Sequence, residues 1–323
     1  MNRRHALAAL ASMLVAPMRA AAQQGRVPIV GMLITHPPVT DKVVQSLRNG
    51  LRQYGYEDGR NVRLEVRTAL GQFDRIPGLA QELAGLPADV IVLANEPALR
   101  AVKQATATIP IVMVGYTDDP VTLGWIASYR RPGGNVTGIF NVNSALTGKR
   151  LEMLREMLPK VTRVAVLWDP AFARRPLEEL QRAADLLQVH LQPIEVSGPE
   201  GIEGAFKTAK RSNAGAVMLL WSPVFYLHRA RIAALALEAG LPTVTDLDVV
   251  TEAGCLLSYG ADSYFPFERA AYFVDRLLKG AEAADLPVEQ ISRLKLIVNL
   301  KTAKALGITI PQSILVRADE VIR

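Results

Sequence analysis

The sequence is poor in the residues that bind metals or form covalent cross-links, with one cysteine and four histidines among 323 residues. Cys255 has no partner for an internal disulfide, and it lies in the apolar stretch GCLLSYG. A cysteine in such surroundings is typical of a buried, unreactive thiol, and we predict this for Cys255. No two histidines stand at the spacing of metal ligands, so we expect no metal site.

The signatures of nucleotide-dependent enzymes and of common hydrolases are also missing. After the first predicted strand, where a dinucleotide-binding loop has G-x-G-x-x-G, the sequence reads HPPVTD from His36. Neither a G-x-x-x-x-G-K-[ST] loop nor a G-x-S-x-G turn occurs. We therefore predict a binding protein without a cofactor rather than an enzyme.

The sequence has no run of basic residues that would mark a nucleic-acid surface. Its formal net charge of +6 falls to +3 without the first 22 residues, because these contain Arg3, Arg4 and Arg19 and no acidic residue. The remaining charges are scattered along the predicted helices. We expect no nucleic-acid partner.

The N-terminus is typical of an export signal. Arg3 and Arg4 precede the apolar run Ala6–Ala16, which is too short to span a bilayer, and a small-residue cleavage site ends at Ala22. We predict a signal peptide over residues 1–22, of either the ordinary secretory or the twin-arginine type. No cysteine follows the apolar run, so we expect no lipid anchor, no membrane insertion of the mature chain and a periplasmic location.

The chain contains one sequence pattern in two copies. Ala88–Pro120 and Ala214–Asp248 each read as a buried strand, a polar turn with a proline, a helix, a second strand and an acidic turn. Upstream, VPIVGMLITHPP from Val27 is similar to VTRVAVLWDPAF from Val161. A duplicated α/β unit predicts two lobes with a cleft between them.

Short β-branched runs alternate with amphipathic helical stretches almost to the C-terminus, which is typical of parallel sheets covered by helices on both faces. We predict an α/β fold with two Rossmann-like, doubly wound lobes, a hinge and an interlobe cleft, in a monomer. The first lobe spans residues 27–140 and is completed by part of 260–295. The second spans 141–259, and residues 260–323 form a tail that crosses back between the lobes.

Polar and aromatic residues gather at the predicted carboxyl ends of the strands, where open α/β sheets bind ligands. Hydroxyl groups and helix N-termini suit a carboxylate, acidic side chains suit an ammonium group, and aromatic rings suit an apolar body. This mixture predicts a small polar or amphipathic solute. The candidate contacts are Thr35, His36, Asn95, Tyr116, Asp118 and Thr137 in the first lobe and Trp168, Trp221 and Asp246 in the second.

Structural roles are the alternative at several of these turns. Asp119 stands before Pro120, the pattern of a helix N-cap followed by proline at the first helical position. Asp169 before Pro170 likewise fits a cap or a turn. Trp168 and Trp221 can each be core residues instead of ligand contacts.

Long blocks of the sequence resemble a known family. DDPVTLGWIASYRRPGGNVTGI from Asp118, LLSYGAD from Leu256, ADLPVEQ from Ala284 and the segment from Leu296 to Ile322 are similar to conserved blocks of the uncharacterised ABC-transporter substrate-binding proteins. The resemblance implies a type I periplasmic-binding-protein fold with three crossings between its lobes. It also implies delivery of a solute to a membrane permease and its ATPase, and an amino-acid-like ligand, since some relatives bind tryptophan or phenylalanine.

The sequence thus predicts an exported solute-binding protein of an ABC importer that binds a small solute, with aromatic amino acids among the candidates. A sensory module that presents a ligand to a membrane receptor is the main alternative, and it predicts no linked permease and ATPase genes. A LacI-like regulator would need a helix-turn-helix where the predicted signal peptide stands.

Overall fold

The computed structural model describes residues 26–35, 40–116, 119–141, 146–290 and 293–323. The predicted signal peptide lies outside these residues. The strands, numbered along the chain, are β1 (Ile29–Ile34), β2 (Arg63–Thr68), β3 (Val90–Ala94), β4 (Ile111–Tyr116), β5 (Val136–Asn141), β6 (Arg163–Trp168), β7 (His190–Glu195), β8 (Ala216–Leu219), β9 (Thr243–Thr245), β10 (Leu257–Ala261), β11 (Glu289–Gln290), β12 (Leu294–Asn299) and β13 (Glu320–Ile322).

The helices cover both faces of the sheets that these strands form. They are α1 (Thr40–Gln53), α2 (Ile76–Gly85), α3 (Glu96–Ala105), α4 (Thr147–Met157), α5 (Arg174–Leu187), α6 (Gly201–Arg211), α7 (Pro223–Leu227), α8 (Arg229–Ala239), α9 (Asp248–Glu252), α10 (Phe265–Leu278), α11 (Leu300–Ala305) and α12 (Gln312–Arg317). Among the described residues, no helix is both long and apolar enough to cross a bilayer.

The strands form two sheets, which with their helices we call the first and second lobes. The first sheet has the order β11-β5-β4-β3-β1-β2 and the second β13-β12-β10-β9-β8-β6-β7. Nearly all neighbouring strands are parallel, and β12 is antiparallel to β10. The order of the five strands that begin each lobe is the same, which confirms the duplicated α/β unit.

Burial explains why the central strands are continuous apolar runs. Every residue of β1 and β8 is buried, because helices cover both faces of each sheet. In the first lobe α1 and α10 pack on one face, and α2 and α3 on the other. In the second lobe α4 and α5 pack opposite α6 and α8. Cys255 lies in this second core and is buried, as predicted.

The chain passes between the lobes more than once. It does so between β5 and α4, again between β10 and α10, and finally between β11 and β12. As a result α10 and β11 belong to the first lobe, where β11 pairs with β5, whereas β12 and β13 complete the second sheet.

The return helix α10 packs very closely against α1. A Cβ atom added at Gly50 of α1 would lie only 2.2 Å from the carbonyl oxygen of Glu268. The contact therefore requires glycine, which has no Cβ, at position 50. The contact also fixes where the N-terminus of α10 lies relative to the first sheet.

Candidate functional site

A cavity lies between the lobes at the carboxyl ends of the strands, and the empty space in it, with the open solvent at its mouth included, is about 780 Å³. Open α/β sheets bind ligands at this position. Most of its lining is apolar or aromatic. The lining residues are Ile34, Thr35, Val43, Ala94, Asn95, Val114 and Gly115 from strand ends and α1 of the first lobe, Trp221, Tyr226 and Leu247 from the second, and Asp262, Ser263, Tyr264, Pro266 and Phe267 around the start of α10.

Two of the predicted contacts, Thr35 and Asn95, meet on the first-lobe wall. Thr35 follows β1 and is buried, and the side-chain amide of Asn95 donates a hydrogen bond to its hydroxyl oxygen. Asn95 Oδ1 accepts from the backbone N–H of Ala98 at 3.3 Å and so caps α3. Asn95 has a φ of +70°, a backbone region that asparagine tolerates better than most residues. This pair places polar groups and the N-terminus of α3 at the cavity wall.

The second lobe has an equivalent polar pair, formed by Asp169 and Ser222. The Ser222 hydroxyl donates to Asp169 Oδ2 at 3.0 Å, and Ser222 also caps α7 by accepting from the Val224 N–H at 3.2 Å. Asp169 Oδ1 accepts from the Ala171 N–H at 3.0 Å. Asp169 is therefore occupied in fixing the turn, which supports the alternative of a structural role there.

Trp221, beside Ser222, lines the cavity from the second lobe. Its indole meets the Phe172 ring edge to face, with the ring centroids 5.3 Å apart. This contact holds the indole in one orientation, and Trp221 still forms part of the cavity lining.

Other predicted contacts lie away from the lining. Thr137 is fully buried in β5, and its hydroxyl donates to the Leu286 carbonyl oxygen at 2.8 Å. Trp168 packs against the second-lobe core. Asp246 is also buried, and burial raises the pKa of its carboxyl group while the Arg150 guanidinium partly opposes this shift.

Two candidates, His36 and Asp118, lie outside the described residues, and of Tyr116 only the backbone, at the end of β4, is described. Asp119 fixes a turn, and among the described residues no helix begins at Pro120, so the capped helix predicted as the alternative does not form there. It accepts from the Val121 N–H at 2.9 Å and from the Tyr129 hydroxyl at 2.7 Å. The hydrogen bond from Tyr129 lowers the pKa of Asp119.

The residues around the start of α10 were not among the predicted contacts. Asp262 Oδ1 accepts from the N–H groups of Tyr264 and Phe265, at 2.9 and 3.0 Å, and so fixes the turn that leads into the helix. Asp262 Oδ2 lies 3.8 Å from Arg293 Nε. The signal was Asp262, directly after β10, since an aspartate at a turn often precedes a helix. Only the return of α10 to the first lobe brings this residue to the cavity.

Two phenols of the site remain protonated at neutral pH. Burial raises the pKa of Tyr226 to about 12, and the carboxylates of Asp248 and Glu252 push in the same direction. Burial and the same two carboxylates raise the pKa of Tyr264 as well. Both hydroxyl groups therefore keep their protons.

The cavity wall offers a solute aromatic rings, a carboxylate and hydrogen-bonding groups from both lobes. Within the described ranges, no group of three or more histidine, cysteine, aspartate or glutamate residues could hold a metal ion. This arrangement can bind a small solute.

Comparison with known proteins identifies the family. Residues 28–322 match the family model described as ABC transporter substrate binding protein. The chain belongs to this family. Proteins similar to this substrate-binding protein include a tyrosine-binding protein of Clostridioides difficile (strain R20291). That protein is 25% identical over 286 residues, which cover 86% of this chain and 79% of the relative.

Two solved structures share the fold of this substrate-binding protein. A conserved domain protein from Vibrio cholerae O1 biovar El Tor superposes with a TM-score of 0.81 at 27% identity. An ABC domain in complex with L-Trp from Streptococcus pneumoniae also gives 0.81, at 23% identity. Each comparison covers 92% of this chain and the whole of the other chain. The two α/β lobes predicted from the sequence are thereby confirmed.

Proposed function

We propose that this substrate-binding protein binds an aromatic L-amino acid in the interlobe cavity and delivers it to an ABC permease and its ATPase. The observation that carries the proposal is the aromatic lining, to which the two lobes and the start of α10 contribute Trp221, Tyr226, Tyr264 and Phe267. Aromatic pairs stabilise a complex beyond the area they bury. The names of the two ligand-binding relatives, a tyrosine-binding protein and a complex with L-Trp, support the same solute class.

The polar groups suit the two charges of an amino acid. Asp262 suits the ammonium group, because the two N–H groups before α10 use only its Oδ1 and Arg293 Nε lies 3.8 Å from Oδ2, beyond hydrogen-bond distance. The Thr35–Asn95 pair and the N-terminus of the ten-residue helix α3 suit the carboxylate. We place the ring of the amino acid among the aromatic side chains.

A solute in this position would touch both lobes, and that contact would drive closure. A ligand shifts an open–closed equilibrium only by its difference in affinity for the two states. Contacts with both lobes supply such a difference in affinity, because they form only in the closed state. A permease can then distinguish the closed, loaded protein from the empty one. The export signal predicted at residues 1–22 fits this role in the periplasm, with binding and no chemical change of the solute.

A thermal-shift screen tests the proposal. The purified protein is unfolded and refolded to remove any carried solute, and then heated with L-tyrosine, L-tryptophan, L-phenylalanine, other amino acids, sugars and nucleosides. A ligand at 100 times its Kd stabilises the fold by about 2.7 kcal/mol. We expect the aromatic amino acids to raise Tm most; a shift with a sugar or nucleoside and none with any aromatic amino acid would reject the proposal.

A further inference from the structure

Tyr264, one of the residues that line the interlobe cavity, has a hydroxyl group without a hydrogen-bond partner in the described part of the chain. The Tyr264 hydroxyl oxygen is buried, and among the described residues none forms a hydrogen bond with it. Tyr264 lines the interlobe cavity. Leaving a buried hydroxyl unpaired costs about 1–3 kcal/mol, so a group that enters the cavity and pairs with it removes that cost.

The ring of Tyr264 is held between the two lobes. It packs against the first-lobe core, on the side of α1 and α10, and also against the second-lobe core that contains Phe225 and Val249. Lys42 Nζ lies 5.4 Å from the ring centroid, and the backbone N–H of Tyr264 donates to Asp262 Oδ1 at 2.9 Å. Because these contacts hold the ring and the backbone of Tyr264, its hydroxyl group has a fixed position.

The charges around this hydroxyl select the kind of group it can receive. Glu252, Asp248 and the phenol of Tyr226 are close enough to favour its protonated form, while Arg229 acts in the opposite direction. Lys42, which pairs with Glu252 at 3.1 Å, and Arg229 offset the charges of the two acidic residues, so the surroundings favour no full charge on the ligand. A neutral group that donates or accepts a hydrogen bond fits best, and in an aromatic amino acid this is a ring hydroxyl or an indole N–H.

We propose that the Tyr264 hydroxyl is the specificity-determining contact for a neutral polar group on the ligand's ring. The site then distinguishes L-tyrosine or L-tryptophan from L-phenylalanine, whose ring has no such group. This inference rests on the proposed function. A site with a buried group that pairs with a ligand hydroxyl or N–H rejects the analogue that lacks it more strongly than a purely apolar pocket does.

The test compares Tyr264→Phe with Tyr272→Phe in the full mature protein. Tyr272 is a matched control, since it lies on the same helix, with Arg269 over its ring at 4.3 Å, and is not on the cavity lining. Isothermal titration calorimetry gives Kd for L-tyrosine, L-tryptophan and L-phenylalanine with each protein, and the readout is the preference for the tighter of the first two over L-phenylalanine.

We expect Tyr264→Phe to reduce this preference about threefold to tenfold, the effect of one lost hydrogen bond, and Tyr272→Phe to leave it unchanged. Retained binding of L-phenylalanine by Tyr264→Phe would show that the site is still folded. If the aromatic amino acids bind and the preference is the same in the wild type and in Tyr264→Phe, this inference is wrong while the proposed function stands. If none of the three binds the wild type, the proposed function fails, and the inference fails with it.

Discussion

Asn95 and Trp221 occupy the same place in the two lobes, and the difference between them shapes the cavity. Each lies two residues beyond a leucine of the third strand of its lobe, Leu93 or Leu219, that pairs with the first strand. In the first lobe the small amide caps a helix and binds Thr35. In the second, Ser222 takes over the capping role one residue later, which leaves Trp221 to cover the opposite wall. At this one pair of equivalent positions the pseudo-symmetric fold therefore has a polar side chain in the first lobe and an aromatic one in the second.

Removing the indole of Trp221 should weaken solute binding. We expect Trp221→Ala to raise Kd for the best aromatic amino acid at least fivefold, or about 1 kcal/mol, because an aromatic contact of this kind is lost. Trp168→Ala is the control: Trp168 also ends a strand but packs in the core, so this variant should lower Tm and leave Kd unchanged. Titration calorimetry measures Kd for both variants. An unaltered Kd in folded Trp221→Ala would contradict the assigned role of the indole.

The sequence identified single residues where local rules determine their position. Thr35, Asn95 and Trp221 were predicted because they directly follow buried strands, and all three line the cavity. Thr137 lies inside β5, opposite Val112 of β4, and the register that buries it is set by tertiary pairing. A pattern read along the chain cannot show which face of that strand carries the ligand.

At the scale of elements, the helix that completes the first lobe comes from the distant C-terminal part of the chain. The contact between α1 and α10 holds the start of α10, together with Asp262 and Tyr264 before it, against the cavity. Gly50 permits this contact because a Cβ there would meet the α10 backbone at 2.2 Å. The close approach is thus one determinant of the site.

We expect Gly50→Ala to destabilise the protein by about 1–3 kcal/mol, the cost of an over-packed contact, although alanine is a better helix former than glycine by about 0.5–1 kcal/mol. The matched control is Gly204→Ala in α6, where a Cβ meets nothing within 4 Å and stability should rise slightly. Urea unfolding of both variants gives the two free energies. A stabilised Gly50→Ala variant would show that α10 does not pack as described.

The alternating pattern predicted the main strands because parallel strands buried on both faces are continuous apolar runs. The two-residue strand β11 and the terminal strand β13 were not predicted, since neither has an apolar run of its own, and both exist only through pairing with β5 and β12. The same holds for Tyr264. Its place on the cavity follows from the crossing between β10 and α10, which a local pattern does not reveal.

At the scale of the whole molecule, a direct ion pair joins the lobes beside the cavity. Lys42 of α1 and Glu252 of α9 lie 3.1 Å apart, and the Lys42 ammonium also lies over the Tyr264 ring. The ion pair can form only when the two lobes are close together. It therefore contributes to the closed state and to the affinity for a solute that requires closure.

Since the Lys42 side chain is 63% exposed, we expect the ion pair to contribute no more than about 1 kcal/mol. Glu252→Gln should thus raise Kd at most about fivefold, and the effect should shrink as the salt concentration rises. Glu203→Gln, which removes a surface pair with Lys207 within α6, is the control and should leave Kd unchanged. Titrations at low and high NaCl check this, and tighter binding by Glu252→Gln would contradict a closing role.

A crystal structure would show directly whether an aromatic amino acid binds between the lobes. The protein would be crystallised with L-tyrosine or L-tryptophan, whichever gives the larger thermal shift. We predict density for the ligand between the two lobes, with its ring beside Trp221 and Tyr264 and its charged groups near Asn95 and Asp262. A cavity without the amino acid at saturating concentration, or the amino acid bound elsewhere on the protein, would contradict the account.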